Sequence, residues 1–207
     1  MAKNLIVTLN RQYGSGGKEV GQKLADALGI KLYDNEITEL AAAKSGIKKD
    51  YFDKADERPT DSFLYALAMN TFSFGNSMNP LDNTLSNDRL FNLQAEVISD
   101  LAKKESFVLM GRCGEYILRD EPNCISVYLC APMEYRIERI KKLYGLSERE
   151  AVKAINSTDK RRDSYYGYYA GKSWGACASY DLSVDTSELG VDKTVELIQK
   201  YIELRNI

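Results

Sequence analysis

The sequence predicts a three-layer α/β/α fold around a five-stranded parallel sheet, and three observations carry that expectation. Apolar runs at residues 5–9, 107–110 and 125–131 have the length of strands and little alternation, so they read as strands covered on both faces. The segments between them repeat apolar residues at helical spacing, so strand and helix alternate five times along 207 residues. The first run leads through Gly14-Ser15-Gly16-Gly17 into a helical pattern, the strand–turn–helix arrangement that gathers backbone N–H groups around an anion. The length suits one domain, residues 1–207.

Taking the elements in order, Val20, Leu24, Ala27 and Leu28 line one face of the first helix and Gly29 stops it. Arg11 and Lys18 flank the glycine turn and put cations beside the proposed anion nest. The pattern G-x-x-x-x-G-K-[ST] is not met in either register. With Gly17-Lys18 as the GK pair, Gln12 stands at the first Gly and Glu19 at the hydroxyl. With Gly14-Ser15-Gly16 in the second half of the loop, Arg11 stands at the first Gly, Gly17 at the Lys and Lys18 at the hydroxyl.

Residues 30–34 form the second strand, with Asp34 at its carboxyl end, where ligands of open parallel sheets sit. Asp34 also suits capping of the next helix, 35–45, which Gly46 stops. Residues 47–89 read as a helical excursion that covers a substrate: a charged stretch at 48–58, helical spacing at 60–74 and an Asn/Ser/Gly/Pro loop at 75–86. Helical spacing resumes over 90–104. The strand at 107–110 ends in Gly111-Arg112, where a desolvated arginine needs either a ligand anion or an ion pair with Glu115, Asp120 or Asp34. A short helix over 113–119 precedes the fourth strand.

Pro132 opens a helix to about Tyr144 that carries Arg136, Arg139, Lys141 and Lys142, mostly a solvated face, with one of the two arginines in reach of the cleft. Ser147 and Glu150 make a capping box for the next helix. Its far end, from Asp159-Lys160-Arg161-Arg162 through four tyrosines to Trp174 and Gly175, reads as a lid over 159–178, or else as a helix end whose tyrosines pack on the core. The tyrosine-rich edge at 165–180 equally suits a contact between two copies of the chain. Residues 180–185 are the fifth strand and 191–204 the closing helix.

Apolar residues at 44%, charged residues at 28% and a net charge of −2 describe a soluble globule and argue against a general nucleic-acid or membrane-surface binder. No apolar run has the length of a membrane span and no signal-like segment opens the chain, so the expected location is cytoplasmic. The four cysteines form no C-x-x-C pair and suit buried residues in a reducing compartment. The absence of histidine removes Ser-His-Asp and Cys-His nucleophiles and most catalytic zinc sites, and leaves phosphoryl transfer open.

In this order and spacing, the chain resembles the cytidylate kinase-like family of the P-loop nucleoside-monophosphate kinase group. The marks are the glycine loop at 11–18, Tyr33-Asp34, Gly111-Arg112, the Tyr128–Pro132 strand exit, Asp159-x-x-Arg162, and Tyr180-Asp181-Leu182-x-Val184-Asp185-Thr186-Ser187. The resemblance implies a P-loop kinase sheet, ATP with Mg2+ as donor, and a nucleoside monophosphate such as CMP or dCMP as acceptor. It implies that Gly14, Ser15, Gly16, Gly17 and Lys18 hold ATP phosphates, with Arg11 replacing the loop lysine. Asp34 and Arg112 would hold the acceptor. Arg162, oriented by Asp159, would stabilise the transferring phosphoryl group with help from Arg161 or Arg139. A metal-ligand set does not follow from the residues. The chain departs from the family at the loop lysine, and at the position one turn before Asp159, where Ile155 replaces an arginine. Those departures leave two other readings: a kinase for another small acceptor, and a nucleotide sensor with little turnover.

Overall fold

The protein is seen here as a computed structural model that describes residues 4–55 and 87–206. Strands β1 (Ile6–Arg11), β2 (Lys31–Tyr33), β3 (Phe107–Met110), β4 (Cys124–Cys130) and β5 (Leu182–Asp185) form one sheet in the order β2-β3-β1-β4-β5, with every pairing parallel. Helices α1 (Gly17–Leu28), α2 (Glu36–Ser45), α3 (Lys49–Ala55), α4 (Asn87–Ala102), α5 (Gly114–Ile117), α6 (Met133–Tyr144), α7 (Glu148–Ala170) and α8 (Thr186–Leu204) surround it. The expected five-stranded parallel sheet with helices on both sides is what forms.

The largely apolar character of β1 has a direct cause. Val7 and Leu9 point to one face, where Val20 and Leu24 of α1 and Val195, Ile198 and Ile202 of α8 cover them. Ile6 points to the other face, with Ile37 and Ala41 of α2 and Leu90, Val97 and Ile98 of α4. The strand is buried on both sides, and its polar residues Thr8 and Asn10 are buried too, hydrogen-bonded to Ile125 O and Glu115 Oε2.

The four tyrosines at the end of α7 do not share one role. Tyr165 and Tyr166 are buried with Cys113, Tyr128, Ala170 and Tyr180 in a third cluster. Tyr169 stacks on Phe91 of α4 at 4.0 Å between centroids, and Tyr168 is exposed. Of the two readings open from the sequence, core packing is the one realised by Tyr165 and Tyr166. They are fixed between helix and sheet and offer no face to a base. Helix α7 runs unbroken to Gly171, so the glycines of the 159–178 segment do not hinge the stretch that carries Arg162.

Several boundaries shift for local reasons. The closing helix starts at Thr186 rather than 191, because the Asp185 side chain accepts from Ser187 N at 2.9 Å and caps an extra turn before the kink at Gly190. Asn35 rather than Asp34 precedes α2, and no side chain caps that helix. The capping box at Ser147 and Glu150 is present in both directions. The expected excursion at 47–89 begins with α3, and its helix at 60–74 and loop at 75–86 lie outside the described residues.

Candidate active site

The turn after β1 is built so that its backbone faces a cleft at the carboxyl ends of the strands. Gly14 and Gly16 adopt φ of +87° and +86°, a left-handed conformation that side-chain-bearing residues rarely take. A Cβ on Gly14 would lie 3.0 Å from Cβ of Arg136, so α6 packs directly on the turn. Ser15 is buried and spends both its N–H and its Oγ–H on Gln12 O. The Ser15 carbonyl accepts from Thr186 Oγ1 at 2.6 Å, and Gln12 Oε1 accepts from Ala131 N. The loop is thus held by β1, β4 and the start of α8 together.

Helix α1 begins at Gly17, and Val20 N–H is the donor to Gly16 O. The N–H groups of the preceding first turn are those that a helix leaves without an intrahelical partner. They face a cleft of about 220 Å³ lined by Gly14, Gly16, Gly17, Lys18, Asp34 and Arg162 among others. In the register that counts the loop lysine at the helix start, Gly17 stands at the lysine position, Lys18 at the hydroxyl position and Arg11 at the first glycine position. A Cβ on Gly17 would meet Arg11 Cβ at 2.6 Å, so the Arg11 stem fills the space where a lysine at 17 would start.

Two further cations, Arg162 and Arg139, stand around the same opening, and a third, Arg112, lies behind Asp34. Arg162 donates through Nη1 to the Arg11 carbonyl at 3.0 Å, which ties α7 to the loop. Arg139 lies over Gly16, 3.5 Å from where a Cβ would be, and its guanidinium is paired with Glu19. Arg112 is only 2% exposed, has φ of +55°, and reaches Asp34 Oδ1 at 3.5 Å and the Met110 carbonyl at 3.4 Å. Of the two outcomes foreseen for Arg112, the ion pair with Asp34 is the one present. Asp34 does not cap α2; its N–H donates to Glu36 Oε2. Backbone hydrogen bonds from Asp34 and from its own residue hold the Glu36 carboxyl below the usual range, with Arg112 and Lys18 adding smaller attractions.

Two expectations are corrected. Asp159 does not orient Arg162: its Oδ1 accepts from Tyr13 N at 2.8 Å and its Oδ2 from Arg136 Nη1 at 2.5 Å. Asp159 and Arg136 are both largely buried, so a carboxylate on α7 is used to clamp the glycine loop. Arg161, one residue before Arg162, does not line the cleft because the helix turns it away, and its Nε is buried without a hydrogen bond among the described residues. Ser15 contributes through loop geometry rather than through its hydroxyl.

Residues that sequence reasoning missed are Tyr13, Glu19, Leu143 and Tyr144. Tyr13 and Tyr144 stack with centroids 6.5 Å apart and rings within 17° of parallel, and with the exposed Leu143 they make an apolar ledge beside the glycine turn. Burial first, then the neighbouring Tyr144 hydroxyl, pushes the Tyr13 phenol up to about 12. The available signal was a tyrosine inside the loop and a second one at the helix end, before Gly145.

No group of three or more metal-ligating side chains occurs among the described residues. Magnesium in nucleotide sites is carried largely by phosphates and water with one or two carboxylates, and Asp34, 22% exposed in its side chain, is a carboxylate in the cleft. Such an ion would arrive with the nucleotide and would supply neutralisation of phosphate charge.

The chain matches the model of the cytidylate kinase-like family over residues 6–188. Among curated proteins, a cytidylate kinase of Methanopyrus kandleri is 25% identical over 209 residues, covering 97% of this chain and 94% of its own length. One from Ignicoccus hospitalis is 24% identical, at 95% and 98% coverage. A crystal structure of an uncharacterized protein from Eubacterium ventriosum superposes with a TM-score of 0.73 at 27% identity, covering 97% of this chain and 99% of that one. A shikimate kinase from Bacteroides thetaiotaomicron superposes with a TM-score of 0.54 at 13% identity, covering 96% and 98%, and shares the P-loop kinase fold.

Proposed function

This chain belongs to the cytidylate kinase-like family, and we propose that it is an ATP-dependent phosphotransferase whose acceptor is a nucleoside monophosphate, CMP or dCMP. Family membership supports phosphoryl transfer; the acceptor is our reading. The observation that carries it is the convergence of a left-handed glycine turn, the start of α1 and the cations Arg11, Lys18, Arg139 and Arg162 on one cleft, with Arg112 behind it on Asp34. Phosphoryl transfer asks for positioning and charge stabilisation and little else. An acceptor phosphate is itself an ionised nucleophile, which suits a chain without histidine.

In this reading the amides at the start of α1 take ATP phosphates, and the Tyr13/Tyr144 ledge takes the adenine. Arg11 stands in for the loop lysine. Asp34 and Arg112 receive the acceptor, the first its sugar or base and the second its phosphate. Arg162, already joined to the Arg11 carbonyl, lies over the transferring group. Mg2+ accompanies ATP. The protein acts on small molecules in the cytoplasm, without nucleic acid or membrane. No described helix is long and apolar enough to cross a membrane.

One observation favours a second reading. Gly17 removes the loop lysine and Lys18 removes the loop hydroxyl, which fits a nucleotide sensor that binds and closes with little turnover. Incubation with Mg-ATP and a panel of nucleoside monophosphates separates the two. Appearance of CDP or dCDP matching the ADP formed supports the kinase. ATP binding with no diphosphate from any monophosphate overturns it.

A further inference from the structure

At the opposite pole of the sheet lies a second cavity of about 340 Å³, which shares no lining residue with the glycine-loop cleft. Cys124, the first residue of β4, and Asp181, just ahead of β5, form part of its wall, so it opens at the amino ends of strands whose carboxyl ends face the cleft. Nothing in phosphoryl transfer at the cleft uses it.

Its inner wall holds buried polar atoms that make no well-formed hydrogen bond among the described residues. Glu115 Oε2 accepts from Asn10 Nδ2 at 2.9 Å, while Glu115 Oε1 makes none. Tyr166, 2% exposed, lines the cavity beside Glu115, and its hydroxyl, also next to Tyr180 and Ser179, makes none of good geometry either. Buried polar atoms in this condition are costly and are normally satisfied. Burial, the largest influence, pushes the Glu115 carboxyl up to about 7 against the weaker pull of its backbone, Tyr166, Lys172 and Asn10.

The rim is cationic in a selective way. Arg205 is paired with Asp181, which also accepts from Ser126 N and Oγ. Arg119 donates to the Tyr116 carbonyl and lies over the Tyr116 ring. Lys172 makes no ion pair among the described residues and faces solvent at the mouth.

We propose that this cavity is a second ligand site, taking a small molecule with an N–H donor head for Glu115 Oε1 and the Tyr166 hydroxyl, and an anionic tail for Lys172. Two sources carry that chemistry: a nucleotide with an amino-substituted base, and an amino acid. The volume is that of an ordinary small-molecule pocket. The site reaches the active cleft by short links, since Asn10 adjoins Arg11 and Tyr166 lies one turn beyond Arg162 on α7.

The test is calorimetric titration of the full chain with CMP and, separately, with L-aspartate, in the parent, Glu115→Gln and Lys172→Glu proteins. In Glu115→Gln the amide oxygen keeps the Asn10 bond and the amide N–H2 turns to the cavity, placing a donor where the ligand needs an acceptor. Lys172→Glu reverses the rim charge at an exposed position and leaves the fold alone. The expected result is that one probe saturates the parent and that each substitution weakens it by about tenfold or more, with ATP affinity unchanged. CMP or aspartate then identifies the source. Binding of either probe that is indifferent to Lys172→Glu places that probe elsewhere. The proposal is overturned if neither probe saturates the parent at about 5 mM, or if Lys172→Glu weakens the binding of no probe, CMP held only at the glycine-loop cleft included.

Discussion

A Cβ placed on Gly17 would lie 2.6 Å from Cβ and 2.7 Å from Cγ of Arg11, so the two positions share one side-chain volume. In the register that places Gly17 at the loop's lysine position, Arg11 stands at the first glycine position, so a cation lies at the strand end rather than at the helix start. Overpacking at such a contact costs about 1–3 kcal/mol, and Gly17→Ala is expected to lower stability by that amount in urea titration. Arg11→Ala is expected to reduce kcat by a factor on the order of 10²–10³, as for loss of a preorganised charge contact. The double substitution Arg11→Gly, Gly17→Lys removes the clash and is expected to recover much of that rate. Gly17→Ala melting with the parent would show that the volume is not shared.

Arg136 and Asp159 form a buried pair that reaches the glycine loop through Tyr13, whose N–H and carbonyl both bond to it. Removing one partner strands the other, and Arg136→Ala is expected to cost about 3–5 kcal/mol in equilibrium unfolding. Asp159→Asn keeps the size and loses the charge, so it is expected to cost less and to raise the KM for ATP by loosening Tyr13. Equal stability of parent and Arg136→Ala would contradict the clamp.

Glu115 gives stability a pH dependence of defined sign. Its carboxyl rises from the ordinary 4.5 to about 7 because burial disfavours the charged form. The folded state therefore holds the proton more tightly than the unfolded state. The resulting stabilisation is complete below about pH 4.5 and is lost as pH rises through about 7, up to about 3 kcal/mol in total. Glu115→Gln is expected to lose less stability than the parent between pH 5 and pH 8 in urea unfolding. Parallel pH curves for the two proteins would contradict the assignment.

Glu19 holds the Arg139 guanidinium over Gly16, where ATP phosphates are expected. Releasing it with Glu19→Gln is expected to lower the KM for ATP roughly two- to fivefold at low salt, the range of an exposed ion pair. The difference should shrink as ionic strength rises. A higher KM would mean that the pair orders Arg139 for binding rather than restraining it.

The sheet was legible because strands buried on both faces leave nearly continuous apolar runs, as Ile6, Val7 and Leu9 do here around Thr8. The helix ends at Gly29 and Gly46 were legible because each takes a left-handed C-cap. The loop register was not, since motif spacing counts residues and cannot see that Arg11 and Gly17 compete for one space. Nor could it reveal that Asp159 turns toward Tyr13, because an i to i+3 spacing on a helix permits contact with Arg162 without requiring it. The tyrosines at 165 and 166 carried no signal to separate stacking on a ligand from packing in the protein, where Tyr166 stacks on Tyr180 and Tyr165 meets Phe91 and Tyr169 edge-on.

The most direct measurement is single-turnover transfer from Mg-ATP to CMP, with ADP and CDP read together, in the parent and in Arg162→Ala. The predicted result is equal ADP and CDP from the parent, and loss of about 10³-fold or more in rate for Arg162→Ala, with ATP affinity changed by about tenfold at most. ATP bound by both proteins with CDP from neither would contradict the account and leave a nucleotide sensor in its place.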